Sequence, residues 1–200
     1  MQTRRHQRGQ GIVEFLLVAP LVLLLGLGSI EAIHWYLIRQ AVSHALVQAA
    51  RAASTEHAHP GVLDKAFSQA MLPFYAASNR ASSEARLQRA MAKRELASGL
   101  PAWHIEILSP AASSFEDFAS TNPDLPAAEY AIIDNDYLHE QHETRLAQGW
   151  HLGQGPTSGQ TTLQANTLRL HLTWLHEPLL PGIKQVVKLL APEDDRYGSI

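Results

Sequence analysis

From Ile12 to Ile30 the chain carries a single charge, Glu14, in nineteen residues. A helix of that length, rising ~1.5 Å per residue, covers roughly 28 Å, about one hydrocarbon thickness. Leu21 to Leu25 is leucine and valine throughout. Gly26 and Gly28 are tolerated better in lipid than in a water-exposed helix, and Pro20 is accommodated there with a local kink. The stretch therefore predicts a transmembrane segment over residues 10–30. Arg4, Arg5 and Arg8 precede it, whereas Glu31 and then Arg39 follow. The positive-inside rule keeps the N-terminus cytoplasmic and sends the rest of the chain across the membrane.

The helical pattern does not stop at the end of the span. Ile38, Val42, Ala45, Leu46, Ala49 and Ala53 recur at helical spacing, opposite a polar stripe of Gln40, His44, Gln48 and Arg51. Alanine is dense between Ala41 and Ala53, which keeps helix propensity high and lets another element approach closely. Residues 31–54 thus read as an amphipathic continuation of the same helix. An ordinary secretory signal, cut near Gly28 to leave Ser29 first, fits poorly with this continuity and with a charge inside the apolar run.

The residues ahead of the span carry more information. Arg8-Gly9-Gln10-Gly11-Ile12-Val13-Glu14-Phe15 follows a short basic stretch, so that a glutamate stands fifth after a glycine, with an aromatic next to it. This arrangement resembles a prepilin of the Tad (tight adherence, Flp-type) pilus system, and specifically the TadE-like family. Gln48 to Ser54, Gln164-Ala165-Asn166 and Pro178-Leu179-Leu180-Pro181 resemble other parts of such proteins. The resemblance implies that residues 1–9 are a leader, removed between Gly9 and Gln10 by a membrane aspartyl peptidase. It implies that Glu14 then pairs with the new N-terminal amine of a neighbouring subunit, and that Phe15 holds the place taken by tyrosine in the major pilins. A cut after Gly11 would leave Glu14 third and depart from the pattern. The implied partners are the prepilin peptidase, other pilins and Tad assembly proteins, and inner-membrane lipid.

Beyond the helix, residues 55–200 are expected to form one periplasmic domain. Glu56 to Gly61 reads as a break, and Asp64 to Ala77 as a helix that Pro73 kinks or stops. Ser82-Ser83-Glu84 starts a further helix, which Gly99 and Pro101 end. Arg86, Arg89, Lys93 and Arg94 make a basic, solvated outer face on it. Trp103 to Ile107 and Thr167 to Trp174 alternate with period two and predict two strands, paired antiparallel over the long helix. Pro110 to Gly159 reads as a long excursion with little regular structure, and Gly149 to Gly159 as a flexible loop without the ending of a phosphate-binding loop. Ile183, Val186, Val187 and Leu190 predict a short amphipathic helix ahead of a loose acidic tail, residues 193–200. The fold class is α+β and pilin-like: a long N-terminal helix on a small antiparallel sheet with additional helices.

Composition narrows the function. There is no cysteine, so disulfides, thiolate metal sites and thiol catalysis are all excluded. Losing the leader takes three of the 16 Lys and Arg and leaves 13 against 19 Asp and Glu, a net of −6. A mildly acidic head argues against nucleic-acid binding. The 11 histidines include His57 and His59 in a loop, His139 and His142 three apart, and His171 and His176 near the second strand. His139-Glu140-Gln141-His142 lacks the zincin spacing, and no nucleophile elbow occurs. The reading is a non-enzyme with no cofactor and no metal site: a minor pseudopilin or pilus-assembly component. The rival is an unprocessed, single-pass periplasmic binding protein that uses its histidines for metal.

Overall fold

The computed structural model describes residues 10–56, 58–120 and 131–180. Gly9, the leader, His57, the amphipathic segment 183–190 and the acidic tail lie outside the described residues. Helix α1, Gln10–Ser54, runs 45 residues without interruption and contains Pro20. Two compact units form: one on Ala41–Leu175, the other on the described residues of 1–40 and 176–200.

In the larger unit, α1 contributes a stripe of small residues. Val42, Ala45, Ala49 and Ala53 of the predicted stripe are buried and Ala41 joins them, whereas Ile38 and Leu46 are only half-buried. Helix α2, Pro60–Met71, buries Leu63, Phe67 and Met71 at i, i+4 and i+8. Here Pro60-Gly61 opens a helix and does not merely break one. Proline costs nothing at the first helical position, and the His59 ring accepts a hydrogen bond from the Gly61 N–H. The expected kink at Pro73 is a change of helix type, since Leu72–Tyr75 is a 3₁₀ turn.

Helix α3, Arg80–Ser98, starts two residues before the serine pair because Asn79 caps it, accepting from the Ser82 N–H. Gly99 closes it in the left-handed region, φ 71°, as the Gly99 and Pro101 signals predict. Its basic residues do not share one fate. Arg86 donates to the Ala76 carbonyl oxygen while remaining exposed, and half-buried Arg94 donates to Tyr75 Oη and lies 5.1 Å over the Trp174 ring.

Strands β1, Trp103–Ser109, and β2, Arg169–Trp174, pair antiparallel as expected. Trp103 stands opposite Trp174, Ile105 opposite Leu172 and Ile107 opposite Leu170, so one face is apolar. His104, Glu106, Arg169 and His171 are on the exposed side. A bulge at Leu108 shifts the register before Ser109. The two tryptophans stack at 6.2 Å with 5° between their planes, and Phe67 of α2 meets both, at 5.4 and 6.3 Å.

The stretch between the strands holds more order than its composition predicts. It contains α4, Ala112–Phe118, α5, Leu138–Ala147, a 3₁₀ turn at His151–Gly153 and the short α6, Thr162–Ala165, which Thr161 and Gln164 open with a capping box just before β2. Gly149 to Gly159, expected to be flexible, is tied down from a distance. Asp117 on α4 accepts hydrogen bonds from the Thr157 N–H at 3.2 Å and the Ser158 N–H at 2.7 Å. Ser114 on the same helix donates to Gln160 Oε1 at 2.6 Å.

Candidate functional site

None of the described residues covers the first two-fifths of α1. Phe15, Leu17, Leu21 and Leu24 are 65–73% exposed, on every side of the helix. Apolar exposure all round a helix means that something other than water must cover it. This is the described helix that is long and apolar enough to cross a membrane once. Glu14 and Phe15 are both exposed on it, one turn from Gln10, where the helix begins. Gly9 lies outside the described residues.

At the far end of the apolar run, the first charge after Glu14 behaves differently. Glu31 is only 8% exposed. Its Oε2 accepts from the N–H groups of Leu179 at 3.0 Å and Leu180 at 3.2 Å, and its Oε1 lies 3.1 Å from the Leu179 nitrogen. His176 Nε2 stands 3.5 Å from Oε1. A buried carboxylate is costly unless hydrogen-bonded, and the two backbone donors meet that need. Glu31 thereby holds the Pro178–Leu180 segment against α1.

His34 completes the group. Glu31 and His34 are three apart on α1, hence on one face, and the His34 and His176 rings lie 5.7 Å apart. One possible ligand atom from each of Glu31, His34 and His176 falls within 4.8 Å of the other two. His34 Nδ1 is buried and has no hydrogen-bond partner among the described residues.

The histidine pair that the sequence offers as a metal candidate is not assembled in this way. His139 Nε2 sits on an exposed helix face 3.4 Å from Glu143, and the half-buried His142 ring packs against Gly153. His171 lies 3.9 Å from Glu106 on the open side of the sheet. Among the described residues, the three-residue group suited to an ion is Glu31, His34 and His176. Sequence reading missed it. Glu31-Ala32-Ile33-His34 carries a usable signal, an acid and an imidazole at i and i+3, but His176 joins from 142 positions beyond His34.

No curated protein and no solved structure matches the chain. Residues 9–51, which include most of the helix that carries Glu14 and Glu31, match the family model described as TadE-like protein.

Proposed function

We propose that the chain is a minor pseudopilin or assembly component of a Tad/Flp-type pilus, and not an enzyme. The observation that carries this reading is the coincidence of the TadE-like match, residues 9–51, with one unbroken helix that is apolar at its start and amphipathic at its end. In this proposal a prepilin peptidase cuts after Gly9, and the product is held in the inner membrane by residues 10–30 with its head in the periplasm. Glu14, fifth in the product, pairs with the ammonium of Gln10 on a neighbouring pilin. In low dielectric that pair is worth far more than in water. The head meets other Tad components.

Processing tests the proposal directly. Intact mass of protein purified from membranes of a strain with the cognate peptidase should correspond to a chain beginning at Gln10, and Gly9→Ala should be cut poorly. A retained Met1, or a chain starting at Ser29, would sink the prepilin reading. Assembly is tested separately. Removing one member of a buried charge pair typically costs ~3–5 kcal/mol, because the survivor is left uncompensated. Glu14→Gln should therefore be processed normally yet fail to crosslink into pilus assemblies. Normal crosslinking would reduce Glu14 to a tolerated interfacial acid.

A further inference from the structure

We infer that Glu31, His34 and His176 form a zinc site that fastens the Pro178–Leu180 segment to α1 at the end of the apolar run. The donor set is one carboxylate oxygen and two imidazole nitrogens, a combination that suits a borderline divalent ion such as Zn²⁺. The three atoms already lie within 4.8 Å of one another. Ligands at ~2.0–2.1 Å around a tetrahedral zinc are separated by roughly 3.3 Å. The Glu31 Oε1 to His176 Nε2 edge, at 3.5 Å, is close to that length. The remaining edges are no longer than 4.8 Å.

Three further features make this a built site and not a chance meeting of polar groups. Glu31 is buried, so its charge is present at a place where charge is expensive. Two backbone N–H groups hold the carboxylate, as outer partners of a metal-binding carboxylate do: Leu180 donates to Oε2, Leu179 is shared between Oε2 and Oε1, and Oε1 also faces His176. His34 Nδ1 is buried without a hydrogen-bond partner among the described residues, an arrangement that a metal ion in the group resolves and that otherwise carries a penalty. An acid and a histidine at i and i+3 on a helix is also a spacing from which metal sites are built elsewhere. Three protein ligands leave a fourth position to water. The ion's role here is mechanical, a fastening that adds metal–ligand bonds to the two backbone hydrogen bonds.

The test uses the full chain in detergent micelles, stripped with a chelator and titrated with Zn²⁺ by calorimetry and with Co²⁺ by visible absorption. One equivalent of Zn²⁺ should bind saturably, and Co²⁺ should give the intense visible bands of a tetrahedral site. Loss of a partner behind a ligand weakens metal binding ~10–100-fold, so His34→Ala or His176→Ala should each weaken it by more than ~100-fold. The His139→Ala, His142→Ala double variant should bind as the native chain does. If a single alanine variant loses its helical circular dichroism, the native Co²⁺ spectrum with its competition by Zn²⁺ still decides. No saturable binding by the native chain overturns the proposal. So does affinity that survives in His34→Ala and His176→Ala, or that disappears with His139 and His142.

Discussion

Asp117 shows how one side chain orders a stretch whose composition predicts looseness. Burial acts to raise its pKa, but hydrogen bonds from Ser158 and Thr157 outweigh that and hold the carboxyl below the usual aspartate value. A lowered carboxyl pKa stabilises the fold above the unfolded value of about 3.9, and that stabilisation is lost as pH falls through the folded value. Asp117→Asn should cost about 1 kcal/mol at neutral pH, low in the range for hydrogen bonds to a charged group because the site is partly open to water. Unfolding midpoints of both proteins, followed from neutral to acid, should converge at the acid end. Parallel curves would remove the charge from the account. Gly155→Ala tests the same anchor from the other side, because a Cβ there would run into the Asp117 carboxylate. It should loosen residues 155–159 as measured by amide exchange. None of this is legible locally: glycines at 149, 153, 155 and 159 read as a flexible loop, and the residue that fixes them lies 40 positions upstream.

Helix α1 was the most legible element, because two independent periodic signals agree along it. Its small buried residues set a sharp limit on substitution. Ala49 is fully buried, and adding three carbons there forces neighbours off their rotamers, so Ala49→Leu should destabilise the larger unit by roughly 1–3 kcal/mol. Val47→Leu, at a position 47% exposed, should change the thermal midpoint little. Equal effects at the two positions would mean that the stripe does not pack closely. The strands were equally clear, since alternation placed Trp103, Ile105, Ile107, Leu170, Leu172 and Trp174 on one face and the register agrees. Helices α4 and α5 were not. Their segments are short and polar, α5 fully buries none of its side chains whereas α2 buries three, and α4 is tied to residues 157–160, some 40 positions away.

For the molecule as a whole, the dominant fact is unequal coverage. The larger unit buries Phe67, Leu63 and Met71 completely or nearly so, while the start of α1 leaves its leucines bare. The full chain should therefore stay with membranes after an alkaline carbonate wash and be released by detergent; release by carbonate alone would show that the apolar helix is covered by protein. Glu14, fifth after Gly9, is a local feature that the sequence displays by itself, and its pairing belongs to the proposal. The grouping of Glu31 and His34 with His176 was not readable in the sequence, because a pattern in one helix says nothing of which distant loop will return to it. The stacked pair of Trp103 and Trp174 has an optical consequence. Two indoles 6.2 Å apart share their excited states, so the ultraviolet circular dichroism of this protein should contain an exciton signal in addition to that of its helices. The signal reports on strand pairing alone, vanishes in Trp103→Phe, and lets the folding of the sheet be followed while α1 remains helical in its micelle.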